Sequence, residues 1–233
     1  MPDGVYAAYS GAIAALEDLE VIANNIANVG TTGFRRHQTN FESVYGDLLS
    51  FVRVSSSRID LSPGSRQLTS DPLHAAVDGD GFFVVNAADG TELYTRRGDF
   101  HIDAQGQLAL PNGQPVQGQG GSLVVPLGSR AELTPDGSLA TDEGPIGRLR
   151  VVRFADSSGL QKVGGSLLAA TAGVVAQDVE SPHLAIGFVE NSNVNLAAEM
   201  VGLIQASRAF EAAMRTVLID DELAQSVVNR ILA

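Results

Sequence analysis

The chain has 233 residues, 44% of them hydrophobic, and a formal net charge of −12. Its 27 acidic and 15 basic side chains are spread along the sequence, without the clustered Lys and Arg that a phosphate backbone requires, so nucleic acid is disfavoured as a partner. There is no cysteine, hence no disulfide or thiolate chemistry, and no apolar run approaches the roughly 20 residues of a membrane helix.

In chain order, Met1-Pro2-Asp3-Gly4 lacks the basic and apolar stretches of a cleavable signal peptide, so if the protein leaves the cytoplasm, a route that reads no such signal is expected. Residues 4–27 then read as a helix. Val5, Tyr9, Ala12, Leu16, Leu19, Ala23 and Ile26 fall at alternating steps of four and three, the a/d rhythm of a coiled coil. The helix should stop near Asn28 or Gly30, where Asn and Gly tolerate left-handed backbone. In 35–74 the spacing of Phe41, Val44, Leu48 and Phe51 suggests a short amphipathic piece. Ser55-Ser56-Ser57 and Ser62-Pro63-Gly64 read as extended linker.

From Ala75 the pattern changes to short apolar runs separated by turn dipeptides. Asp89-Gly90 lies between Phe82-Phe83-Val84-Val85 and Glu92-Leu93-Tyr94-Thr95, a hairpin signal. Asn112-Gly113 and Asp136-Gly137 mark further turns. The segment from Arg148 to Phe154 alternates charged and apolar residues, as a half-exposed strand does. Every proline but Pro2 lies between Pro63 and Pro182. Residues 75–185 are therefore expected to be a β domain, barrel-like or a sandwich, and the protease-resistant part of the free chain.

The last segment, 186–233, is a second helical arm. Asn193 or Asn195 can cap it, and Glu199 lies in the first turn, where the helix dipole favours an acid. Leu196, Met200, Leu203, Phe210, Met214, Val217, Val228 and Ile231 repeat the four–three rhythm, broken only by Ser207 and Asp221. The expected organisation is α+β: arm and linker 1–74, β domain 75–185 and arm 186–233, the two helices forming a coiled-coil-like pair.

Motifs for chemistry are weak. Asp78-Gly79-Asp80-Gly81 resembles part of a calcium loop, but the ligands that must follow are replaced by Phe82 to Val85. Asp142-Glu143 is the densest carboxylate pair of the β domain and sits beside Gly144-Pro145, a turn. The four histidines have no ligand spacing. Arg35-Arg36-His37 is either a solvated loop or a salt-bridge contact to an acidic neighbour. No catalytic, cofactor or metal site is expected.

Three segments carry a resemblance. Ala23-Asn24-Asn25-Ile26-Ala27-Asn28-Val29-Gly30-Thr31-Thr32-Gly33-Phe34 resembles the N-terminal signature of bacterial flagellar axial proteins, the rod, hook and hook-associated proteins. The segment from Val77 to Val85 is similar to the start of their β domain, and Glu190-Asn191-Ser192-Asn193-Val194-Asn195 with Glu199-Met200 and Ala209-Phe210 to their C-terminal motif. The short body and the segment from Ile146 to Phe154 look most like the proximal rod members; distal rod and hook-type members are the alternative. Gly202 departs from a helix that is usually stronger in that family.

The resemblance implies a periplasmic rod in the flagellar basal body, transmitting torque to the hook. It also implies subunits passed through the flagellar type III export apparatus, partners that are copies of the chain and other rod proteins, and no membrane insertion. The expected assembly interface is the seam Val5, Tyr9, Leu16, Leu19, Ile26, Leu196, Met200, Leu203, Phe210, Met214, Val217, Val228 and Ile231, with Asn25, Asn28 and Phe34 from the signature. Two other classes remain: a carbohydrate hydrolase in the β domain, which requires a pocket of convergent carboxylates, and a closed coiled-coil oligomer.

Overall fold

The computed structural model describes residues 2–45, 50–126, 128–155 and 159–232, with side chains except at 2, 3, 43–45, 50–57, 221, 223, 224 and 226–232. It is an α+β fold that packs as two units. One comprises Met1–Ala27, His37–Asp60 and Asn195–Ala233; the other comprises Asn28–Arg36 and Leu61–Val194. The boundaries thus differ from those read in the sequence. Residues 61–74 and 186–194 belong with the β-rich body because they supply a strand pair to it, Arg66–Leu68 with Phe188–Glu190, and because Ile186 completes the strand that pairs with Ala75–Val77.

The helical unit holds α1 (Pro2–Ala27) and α2 (Leu196–Leu232). At 1.5 Å per residue, the 37 residues of α2 extend about 56 Å. Asn195 caps it: the Asn195 Oδ1 accepts from the Ala198 amide at 3.2 Å, satisfying an N–H that the helix leaves unpaired. Between the helices in sequence lies an antiparallel hairpin, β1 (His37–Tyr45) and β2 (Ser50–Ile59), with a bulge at Asn40/Phe41. This corrects the reading of 35–59. The four-three spacing of Phe41, Val44 and Phe51 belongs to strands, in which Phe41 pairs with Val54 and Val44 with Phe51 in register. Leu48 lies outside the described residues. Ser55, Ser56 and Ser57 are part of β2 rather than linker.

The β unit is built round a six-stranded antiparallel sheet. In spatial order its strands are Leu160–Gly164, Leu167–Ala170, Glu92–Thr95, Phe82–Asn86, Val151–Phe154 and Ala176–Asp178. The Asp89-Gly90 hairpin forms as expected: Gly90 takes φ 84°, and Asp89 Oδ1 accepts from the Thr91 amide at 2.9 Å. Asp136-Gly137 likewise turns the chain between Ala131–Leu133 and Ser138–Thr141, where the hydroxyls of Thr134 and Ser138 hold the Asp136 carboxyl well below its usual range. The Arg148–Phe154 segment is divided: Gly144–Arg148 ends in one sheet and Val151–Phe154 continues in another. Val151 and Val152 are both buried and Arg153 is exposed, so the strand is covered on both faces only at its start. The core gathers Phe83, Phe100, Leu108, Leu110, Leu139 and Leu149, none more than 1% exposed, with Phe83 and Phe100 edge to face at 4.9 Å between centroids.

Candidate assembly interface

In the helical unit, α1 and α2 pack against each other through small residues. Ala12, Ala14, Ala15 and Ile22 are buried on α1, and Ala206 on α2. Gly202 lies opposite Ile22: a Cβ at that position would be 3.4 Å from the Ile22 Cδ1. A polar cluster closes the lower end of the pair. The side-chain amide of Asn25 brackets the first residue of β1, donating to the His37 carbonyl at 2.8 Å and accepting from the His37 amide at 2.9 Å. Its Nδ2 also lies 3.3 Å from Glu199 Oε2, and both side chains are buried. Asn25 therefore acts as a substitute peptide group, fixing the exit of α1 to the entry of β1. The Thr39 hydroxyl donates to Asp18 and ties β1 to α1 further up.

What the small residues leave outside is large and apolar. Tyr6, Tyr9, Ile13 and Leu16 follow one another at steps of three and four along α1, and all are exposed, Tyr9 by 57%. On α2, Leu196, Met200, Val201, Ile204, Leu218 and Ile219 are exposed as well. A stripe of this kind marks an interaction surface in a water-soluble domain. An apolar groove of about 280 Å³ runs beside the Ala-rich face, lined by residues that include Gly11, Ala15, Phe41, Gln205 and Ala209.

In the β unit the Asn-rich signature and the C-terminal motif meet. The Gly33 amide donates to the Glu190 carbonyl at 2.7 Å, and the Arg36 amide to Asn193 Oδ1 at 2.6 Å. Arg35 Nη2 donates to Glu190 Oε1 at 2.6 Å, with both side chains buried. So the basic cluster does find an acidic partner, one strand of its own unit. Gly33 has φ 67°, and a Cβ there would lie 2.3 Å from the Arg97 backbone nitrogen, so no other residue fits. Phe34 is fully buried, and the ammonium of Lys162 stands 3.4 Å from the centre of its ring.

The expected interface residues thus fall into groups. Tyr9, Leu16, Leu196 and Met200 are exposed; Val5, Leu19, Ile26, Asn28, Leu203, Phe210, Met214 and Val217 are half-buried. Asn25 and Phe34 are internal, which corrects their placement on an interface: a side chain with no exposed surface holds its own chain together. The side chains of Val228 and Ile231 lie outside the described residues. On α1 the buried residues are Ala12 of the four–three seam with Ala14, Ala15 and Ile22 beside it, while Leu16 and Ala23 of the seam are exposed. Arg96 and Lys162 are the residues that sequence reasoning missed; Glu190 and Glu199 stand in the family-like C-terminal motif, but their partners Arg35 and Asn25 are not readable from spacing.

Neither weak chemical motif gains from the geometry. Asp78 and Asp80 are exposed, and Asp78 pairs with Arg66. Asp142 and Glu143 are exposed in a turn. Among the described residues no three acidic or histidine side chains converge as metal ligands, and no helix is long and apolar enough to cross a membrane.

Two terminal helices and a β body, with an N-terminal signature clasped to a C-terminal motif, is the organisation that sequence comparison recognises. Residues 5–35 match the flagella basal body rod protein model, 76–144 the flagellar hook protein FlgE/F/G D1 domain and 185–231 the flagellar basal body rod FlgEFG protein C-terminal model. The chain belongs to the flagellar basal-body rod protein family. Within it, the chain is 35% identical to the rod protein FlgF of Salmonella typhimurium, over 95% of each chain, and 33% identical to FlgF of Escherichia coli, over 100% of this chain and 99% of that one. It is 32% identical to FlgG of Bacillus subtilis, over 97% of each.

Proposed function

We propose that this chain is a structural subunit of the flagellar basal-body rod, of FlgF type. It acts by packing its terminal helices against copies of itself and against other rod proteins. The observation that carries the reading is the pair of exposed apolar stripes on α1 and α2, on a unit whose buried apolar residues are mainly alanines. Burying about 25 cal/mol per Å² of such surface favours association over the isolated subunit. Heterologous contacts that do not close on themselves build a helical tube, and a stiff, multiply bonded tube transmits torque. The subunit has no enzymatic role. It reaches the periplasm through the flagellar type III export apparatus and resides in the basal body.

The FlgG-type reading belongs to the same family, and the similar identity to FlgG of Bacillus subtilis keeps it as the second reading. The position of a tagged copy in isolated basal bodies separates the two.

The stripe itself is tested by Met200→Asp and Ile204→Asp. Both side chains are more than half exposed, so a charge there leaves the monomer intact. The expected result is unchanged circular dichroism, loss of co-sedimentation with other rod proteins, and non-motile cells. Glu211→Ala, an exposed residue off the seam, is expected to be nearly silent. Normal motility with both aspartates in place overturns the reading.

A further inference from the structure

Behind the clasp of signature and C-terminal motif, two guanidinium groups share one carboxylate. Arg35, Arg96 and Glu190 are 2%, 5% and 2% exposed. Glu190 Oε1 accepts from Arg35 Nη2 at 2.6 Å and from the Gly64 amide at 2.9 Å. Arg96 Nη1 lies 3.6 Å from Glu190 Oε2, and its Nη2 donates to the Gly79 carbonyl at 2.7 Å. Three buried donors here have no acceptor among the described residues: Nε and Nη1 of Arg35 and Nε of Arg96. Buried N–H groups in folded proteins are almost always paired, and a buried charge calls for a counter-charge. Here the enclosed charge is one positive unit in excess.

Beside Arg96 and Glu190 is a cavity of about 110 Å³, lined also by residues that include Pro63, Gly64, Arg66, Val77 and Asp80. One water needs only about 10–15 Å³ on such a measure, so there is space for a group of several heavy atoms. Planar guanidinium donors match a carboxylate or another small oxyanion better than they match any neutral group. We propose that this cavity is an oxyanion site that takes a carboxylate-sized group, with Arg96 as its principal donor. Asp80, exposed at the rim, opposes entry by like charge and so sets how tightly the site holds.

The carboxylate has two sources, a free small anion or an Asp or Glu side chain of a neighbouring subunit. Acidic side chains are plentiful on any copy of this chain. Only the second source rests on the rod reading; the site itself is tested on the chain alone.

The full-length protein is titrated with sodium acetate and, at matched ionic strength, with sodium chloride, following the arginine Nε–H resonances. The expected result is a saturable shift of the Arg96 signal with acetate alone, several-fold tighter in Asp80→Asn and without a matching effect of acetate on thermal unfolding in Arg96→Met. If Arg96→Met does not fold, the wild-type and Asp80→Asn titrations decide. Identical responses to acetate and chloride, or no tightening in Asp80→Asn, overturn the proposal and leave a water-filled cavity. Acetate that also reduces co-sedimentation with rod proteins assigns the site to a neighbour's side chain; unchanged co-sedimentation assigns it to free carboxylates.

Discussion

The two units solve the same problem in opposite ways. The β unit turns its large apolar side chains inward, so that Phe83, Leu139 and Leu149 have almost no exposed surface. The helical unit turns small ones inward and leaves Tyr6, Tyr9, Met200 and Ile204 in water. A region that completes its own core can fold alone. One that withholds its largest apolar groups is only marginally stable until something covers them. The contrast explains how one chain can carry a finished body and an unfinished, association-ready end.

The largest expected effect lies in the β unit. Glu190→Gln leaves Arg35 and Arg96 buried together without a counter-charge. Removing one partner of a buried ion pair costs about 3–5 kcal/mol, so the β unit should melt at clearly lower denaturant concentration. If the loss stays below about 1 kcal/mol, the cluster is not the fastener of signature and C-terminal motif. A fragment test sharpens the same point. Limited proteolysis should protect 28–36 and 61–194, not merely 75–185, because the strand pair Arg66–Leu68 with Phe188–Glu190, the last residue of the pair Ala75–Val77 with Leu184–Ile186, and the Gly33–Glu190 contact lie outside the shorter range. A stable 75–185 fragment would show that these contacts are dispensable.

How legible was this contrast in the sequence? The helices and the tight turns were readable because their causes are local: Asn195 at a cap, Gly90 after Asp89, apolar steps of three and four. The hairpin β1–β2 was not, since Phe41, Val44 and Phe51 satisfy a helical spacing by chance and only pairing decides the period. On α1 the spacing does not separate the face packed inside the unit from the exposed one, because Ala, Ile and Leu occupy more than one of its faces. Packing chose the close approach that Ala12 and Ala15 allow over the larger Leu16. The clasp was half visible: Arg35 was flagged as a salt-bridge candidate, but Glu190 lies 155 residues away, and no spacing rule reaches that far. Asn25 and Phe34 carried the family resemblance, yet their burial shows that a signature residue can serve the fold and not the surface.

An intermediate effect is expected from pH, and only on the β unit. Burial pushes Lys162 down from 10.5 to about 8, and among the described residues its Nζ has no hydrogen-bond acceptor. Below about 8 both folded and unfolded chains carry the proton, and the burial penalty is present in full. Between about 8 and 10.5 the folded chain releases it first, so stability should rise with pH across that window. Lys162→Met should abolish the rise. That comparison isolates it from Tyr94, whose phenol burial pushes up and whose titration lowers stability as pH increases. A pH profile of unfolding that is the same for wild type and Lys162→Met would mean that the Phe34 ring alone stabilises the ammonium enough to cancel its burial.

The smallest effect is expected at Gly202, where the helical unit meets its own limit. Glycine inside a helix is less favourable than alanine by about 1 kcal/mol, through the freedom it gains on unfolding. Gly202→Ala should therefore stabilise α2, provided that the new methyl fits. At 3.4 Å from Ile22 Cδ1 it meets an ordinary van der Waals contact with the tip of a flexible side chain, not with backbone. The gain should approach about 1 kcal/mol in unfolding of the helical unit and leave the β unit's transition unchanged. A loss of stability would mean that α1 and α2 approach more closely at this point than the Ile22 contact indicates. An equal gain in both transitions would mean that the two units do not unfold separately, and the contrast between a finished body and an unfinished end would then have no counterpart in stability.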